Sequence, residues 1–334
     1  MKMKTQLFGL ALIALVTQAH AAVSVVSTTD TNALKAALNP QGLTITAVTM
    51  PYGVAGQFGT YSNFTLPPVT IGNGVVLSSG NVSFVGIPPN PDEEPSYDLF
   101  GDSSPEFDGY GPGHIEHFNS SYDVAVLRVR FNLTTSSQVK FDFVFGSVEY
   151  PDYTSAYTDA LLVFLDGTDP TNQIAFDQSH QPVQVGLAFS GVVETGDHNT
   201  AFASPHGLMG RLTTTTAVLA AGNHTLLFEV GDVNDGILDS AAFIANLRAE
   251  AGTQGTVLAP RPPPLVVNSS QSQAGTNQTT LTWTNNLVPV LLESSGQVTG
   301  VWNTVTGPRT TNLNWVLTTV TNSAPAQFFR LRQN

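Results

Sequence analysis

Beyond residue 40 the chain alternates between short apolar runs and clusters of Gly, Pro, Asn and Asp. The runs are Leu43–Thr49, Gly74–Ser78, Ala125–Asn132, Ser137–Phe145, Ala160–Leu165, Val183–Leu187, Thr213–Leu219, His224–Val230 and Ser240–Arg248. Segments of this length, rich in Val, Ile, Leu, Phe and Thr and bounded by turn formers, read as β-strands. Their number and spacing predict an all-β fold, an antiparallel β-sandwich or jelly-roll-like main domain. In Val124–Phe131 and Val139–Phe145 polar and apolar positions alternate, with Lys140 and Asp142 set between Val139, Phe141 and Phe143. One face of these strands is therefore expected to be buried and the other wet. Asp30–Asn39 differs: an Asp or Thr cap, Leu and Ala spaced over two turns and a following Pro40 predict one short N-terminal helix, the only substantial one.

Two stretches break the strand pattern. Gly86–Ser121 is rich in Pro, Gly and acid and is expected to be a long loop, either a ligand-binding arm over one end of the sandwich or a tolerated insertion. Residues 252–264, GTQGTVLAPRPPP, read as a proline-rich linker in extended polyproline II form. Strand-like runs resume at Thr279–Trp283, Val288–Glu293, Trp302–Val305, Trp315–Thr319 and Gln327–Arg332, so residues 265–334 are expected to form a small C-terminal β-sandwich. The division expected is thus 1–21 leader, 22–251 main domain, 252–264 linker and 265–334 C-terminal domain.

The leader is read from Lys2 and Lys4, the apolar run Leu7–Val16 and the small-x-small site Ala19-His20-Ala21, which together have the form of a secretory signal peptide. Its apolar run is about ten residues, where a span needs roughly 20, and no other segment is long and apolar enough to cross a membrane. The expected location is therefore secreted or cell-surface. The 334 residues contain no cysteine, so stability rests on core area and bound ions rather than on disulfides. Residues 22–250 carry 24 Asp and Glu against six Lys and Arg, whereas residues 251–334 carry one Glu against four Arg. A main domain near −18 disfavours nucleic acid and anionic membranes, which need clustered cations, and favours multivalent cations.

Acids are concentrated where they can do chemistry. In Phe141–Asp166 and again in Gly231–Leu247, carboxylates sit on turns between apolar strands, held by stiff backbone. Glu149, Asp159, Asp232, Asp235 and Asp239 are the candidate ligands of a Ca²⁺ ion, which takes six to eight oxygens gathered from more than one loop outside EF-hands. Asp232–Asp239 lacks the EF-hand spacing and its distal Glu. The competing reading is that these acids cap turns through backbone amides. His114 and His117 lack the order, the helix and the third ligand of a zinc motif. No G-x-S-x-G elbow and no Cys supports nucleophilic catalysis. A polysaccharide hydrolase would need only two carboxylates, drawn from Glu149, Asp152, Asp159 and Asp235. Tyr110 in the long loop, with Tyr150 and Tyr153 beside the acidic turn, are candidate aromatic platforms for sugar rings.

Several segments, in order, resemble the choice-of-anchor L domain of secreted bacterial proteins. They are Gly72-Asn-Gly-Val-Val-Leu-Ser-Ser-Gly80, Asp98-Leu99, Asp123–Leu127, Ser147-Val-Glu-Tyr-Pro-Asp152, Tyr157-Thr-Asp159 and Asp235–Ala241, within a resemblance running from about Thr28 to Gly252. Val148 and Thr158 stand where the family usually has Glu and Asn. The resemblance implies an exported surface or matrix protein and brings no fixed activity. The C-terminal module, fibronectin-III-like in its final aromatic-Arg strand, stands where the family carries its anchor. It is expected to serve attachment or secretion, or to act as a spacer. The first expectation is a non-enzymatic, Ca²⁺-stabilised protein engaging polysaccharide or another surface component. The others are a secreted polysaccharide hydrolase and a pure scaffold.

Overall fold

The computed structural model describes residues 23–65, 69–88, 95–178, 180–186, 189, 193–194, 200–251, 266–271, 277–284, 290–297, 301–311, 315–322 and 328–333. The expected leader and the expected linker lie outside them. Residues 23–251 hold β1 (Ser24–Ser27), α1 (Thr31–Ala37), β2 (Thr44–Tyr52), β3 (Phe58–Phe64), β4 (Gly72–Ser78), α2 (Val82–Val85) and α3 (Pro105–Tyr110). They continue with β5 (Ser121–Leu133), β6 (Ser137–Ser147), β7 (Ala160–Leu165), β8 (Val183–Gln184), β9 (Val193–Glu194), β10 (Gly207–Met209), β11 (Leu212–Leu219), β12 (Gly222–Val233) and β13 (Ser240–Ala251).

These strands build two antiparallel sheets. The first has the order β1-β3-β4-β13-β6-β10-β9, with β11 also paired to β6; the second is β2-β5-β12-β7-β8. Their facing sides share one core, in which Phe141, Phe143 and Ile244 of the first sheet meet Leu127, Phe131, Val163 and Phe228 of the second. Phe141 and Phe228 meet edge to face across the gap, their centroids 5.1 Å apart. The sandwich and its short N-terminal helix are as the sequence predicts. In α1, Asp30 accepts from the Asn32 amide at 2.9 Å and Leu34 is buried.

The one-face-wet expectation is corrected at one end of each sheet. Val144, Phe243, Tyr61, Phe64, Phe202 and Leu208 form a second core on the outside of the first sheet. Phe107 and Tyr110 of α3, with Ile115, cover Val124, Val126, Leu162 and Leu227 on the outside of the second. A strand covered on both faces reads as a continuous apolar run, as in Ala160-Leu-Leu-Val-Phe164 and Ala241-Ala-Phe-Ile244. Asp142, expected on a wet face, is instead nearly buried in a polar ladder. It accepts from Thr213 at 2.7 Å and Asn246 at 2.8 Å and lies 3.4 Å from Arg248.

The 86–121 stretch is not all loop. Ser104 caps α3 by accepting from the Phe107 amide at 3.0 Å, and Pro105 occupies the first turn, where its missing N–H is no loss. Strands β1, β3, β9 and β10 escape the sequence reading. In β3 the Gly, Ser and Asn positions look like a turn, yet Gly59 is needed because a Cβ there would come 2.8 Å from the Val26 carbonyl of β1. Beyond residue 265 a four-stranded sheet runs Val266–Gln271, Asn277–Thr284, Trp315–Asn322, Arg309–Thr311. A three-stranded sheet runs Asn303–Thr304, Val290–Ser295, Phe328–Gln333. Leu281, Trp283, Leu292, Val316 and Leu331 are their buried cluster.

Candidate cation site at one end of the sandwich

Strand register brings the acids together. In the first sheet Ser147 of β6 is opposite Ser240 of β13, and Ser78 of β4 is opposite Ala241, so Glu149, Asp239 and Gly80 leave the sheet at the same end. In the second, Ala160 of β7 is opposite Gly231 of β12, and Ser121 of β5 is opposite Val233, which gathers Asp159, Asp232 and Asp123. The side chains link the two groups: Asp159 accepts from the Val233 amide at 3.0 Å and, through its other oxygen, from the Ser240 hydroxyl at 2.7 Å. The two acidic segments of the sequence therefore meet, and Ser240 is the hinge pin between the sheets.

Burial differs among the five candidates. Glu149, Asp159, Asp232 and Asp239 are closed to solvent, while Asp235 is half-buried. Neither oxygen of Glu149 and neither of Asp232 meets a hydrogen-bond donor, nor does one oxygen each of Asp235 and Asp239. Asp232 lies against Asp159, an approach of two carboxyl groups that a shared proton or a cation makes attractive. The Ser79 hydroxyl is near Asp232 but donates to the Ser240 carbonyl at 3.3 Å.

The electrostatic consequence is uniform. Burial, reinforced by Asp159 and Asp235, pushes Glu149 up to about 9. Burial pushes Asp239 up to about 7, against the lowering effect of the Tyr97 amide. Burial also raises Asp159 and Asp232, and for Asp232 the neighbouring Asp159 and Asp239 add to it. Left alone at neutral pH, part of this cluster holds protons.

A strap over this end recruits residues to which the sequence reading assigned no role. Asp239 accepts from the Tyr97 amide at 3.0 Å and donates its own amide to the Pro95 carbonyl at 3.0 Å. Asp123 accepts from the Leu99 amide at 2.8 Å and from the Gly101 amide. The segments Asp98-Leu99 and Asp123–Leu127 were thus matched by resemblance without the link between them being visible. Val148 and Thr158 are both buried, Val148 in the outer core and Thr158 donating its hydroxyl to the Glu116 carbonyl.

The aromatic candidates separate. Tyr110 is corrected: it is buried, edge-on to Phe164 at 5.8 Å and stacked on His114 at 4.4 Å, and offers no face to solvent. Its place on the core side of α3 follows from Phe107 three residues earlier. Tyr150 is half-buried against Phe189 at 5.8 Å. Tyr153 is exposed and meets Tyr157 edge-on at 6.2 Å, the aromatic pair next to the Glu149 turn. Asp152 is exposed. His114 Nδ1 is paired with the Tyr110 carbonyl at 2.8 Å, away from any carboxylate set.

Among the described residues no three His, Asp or Glu side chains are already closed round one point as a metal cage, and no helix among them is long and apolar enough to cross a membrane. No relative among curated proteins matches the chain. The choice-of-anchor L domain model matches residues 22–247, which covers both sheets, the strap and all five acids. The chain belongs to the choice-of-anchor L domain family, whose members are surface-associated extracellular proteins.

Proposed function

We propose that residues 22–251 form a non-enzymatic surface domain stabilised by a divalent cation, Ca²⁺, held by Glu149, Asp159, Asp232, Asp235 and Asp239. The observation that carries this is the two oxygens of Glu149, which meet no donor and are closed to solvent beside the Asp159–Asp232 carboxyl pair. An isolated buried carboxylate is too costly to keep ionised without a partner. Hard oxygen donors from several loops, with flexible geometry, suit Ca²⁺ rather than a smaller or softer ion. The exposed Tyr153, edge-on to the half-buried Tyr157 beside it, supports contact with a polysaccharide at the rim. Burial of Glu149, Asp159 and Asp232 favours this over a hydrolase, which needs its carboxylates in an open groove. The paired four- and three-stranded sheets after residue 265 support the fibronectin-III-like reading of that module, with attachment or spacing as its role.

Thermal unfolding of the full chain in EDTA and in millimolar Ca²⁺ tests the proposal. A ligand that binds only the folded state adds RT ln(1 + [L]/Kd), about 2.7 kcal/mol at 100 Kd, or roughly 5–10 °C for a domain of this size. The expected result is that rise, smaller with Mg²⁺, whose octahedral demand is stricter, and absent in Asp235→Asn. Equal midpoints in EDTA and Ca²⁺ would leave the cluster as protonated turn caps.

A further inference from the structure

The outer face of the second sheet is covered over only half its length. Val124 and Val126 of β5 lie under α3, but Arg128 and Arg130, two and four residues further on the same face, do not. There the sheet carries a cavity of about 430 Å³ lined by Arg128, Arg130, Phe164, Asp166, Thr225 and Leu227. Phe164 and Leu227 lie beneath it, both closed to solvent.

The charges of this cavity are unbalanced. Successive same-face positions on a strand are about 7 Å apart, so the two guanidinium groups repel each other. Neither makes a hydrogen bond or ion pair with any described residue. Asp166, the acid on the rim, is committed elsewhere: one oxygen to His224 Nδ1 at 2.6 Å, the other to the Thr225 amide at 2.7 Å. Glu229, the nearest acid on β12, accepts from Ser104 at 2.8 Å beneath α3. Elsewhere in residues 22–250, Lys140 and Arg248 pair with Glu250 and Asp142, and Arg211 donates to the Thr70 carbonyl at 3.1 Å. In a domain so short of cations and so rich in acids, two adjacent arginines that no carboxylate contacts directly, with only Glu229 acting on Arg128 from beneath α3, mark a place for an anionic ligand.

We propose that this cavity binds a carboxylate-bearing sugar ring, a uronic acid unit of an extracellular polysaccharide. Arginine forks grip a carboxylate by paired charge-assisted hydrogen bonds. The aliphatic stems of Arg128 and Arg130 offer apolar surface to the ring, and Thr225 on the wall offers a hydroxyl for its polar edge. The site is remote in role from the acid cluster and does not depend on a bound cation.

Calorimetric titration of the full chain with tetragalacturonate, in EDTA so that calcium bridging contributes nothing, tests it. Binding is expected, with a loss of about tenfold for each of Arg128→Gln and Arg130→Gln, the scale of one charge-assisted hydrogen bond. The fully methyl-esterified tetrasaccharide, of the same shape without charge, is expected not to bind the unaltered protein. Equal binding of the ester, or no binding of the acid, overturns the proposal whatever the variants do. Preference for a sulfated tetrasaccharide would overturn the carboxylate assignment. The EDTA condition keeps failure here distinct from failure of the cation reading.

Discussion

Gly80→Ala is expected to destabilise the protein by about 3–5 kcal/mol, lowering its unfolding midpoint by roughly 10 °C. The residue lies two positions beyond β4, and a Cβ on it would fall onto the carboxylate of Asp239, overlapping both oxygens and the carbon between them. No backbone strain is involved; the cost is steric and electrostatic. Asp239 has no free direction to retreat, because it accepts from the Tyr97 amide and its own backbone ties Pro95, so its displacement also releases the strap. Removing the obstacle checks the reasoning. Asp239→Ala alone loses one hydrogen bond but also a buried acid that burial raises to about 7, so its cost is small. The double variant is expected to unfold close to Asp239→Ala, giving a coupling of several kcal/mol where independent sites would add. Additive losses in denaturant titrations, run in EDTA, would sink the steric account.

That glycine shows where sequence reading reaches and where it stops. Strands such as β6 and β7 were legible because their apolar runs are bounded by turn formers, and β7 was placed at its observed limits. The five acids were legible as a group because they sit at the ends of such strands. Their meeting was not, since it depends on the register of β13 against β6 and of β12 against β7, which no local signal encodes. Tyr110 misled because a Pro- and Gly-rich setting looks like surface. The corrective signal was present in Ser104-Pro105-Glu106, a cap and first turn that make Phe107 and Tyr110 one face of a short helix. Arg128 and Arg130 look like the wet half of an alternating strand. Only the half-length cover by α3 and the commitment of Asp166 to His224 set them apart.

Glu229→Gln is expected to remove a large pH dependence. Glu229 points to the outside of β12 under α3, closed to solvent, with one oxygen accepting from Ser104 at 2.8 Å and the other meeting no donor. Burial, with Glu106 and Asp108 of α3 adding repulsion, raises its pKa from an ordinary 4.5 to about 8; Ser104 and the Arg128 guanidinium pull it down but are outweighed. In the unfolded chain it ionises near 4.5, in the folded protein near 8, so folding takes up a proton throughout that window. Stability from this group is therefore fully present below 4.5, falls by at most about 1.4 kcal/mol per pH unit as pH rises, and levels off above 8, a loss of about 5 kcal/mol in all. Gln at 229 still accepts from Ser104 and has no proton to gain. The acid cluster also titrates, but identically in both proteins, so the difference in unfolding free energy between Glu229→Gln and the unaltered chain isolates the one carboxyl. That difference should shift in favour of the variant by about 3 kcal/mol between pH 5 and pH 8. A constant difference would mean that Glu229 is ionised in the fold and neutralises Arg128, and the arginine cavity would then lack the unbalanced charge on which its ligand depends.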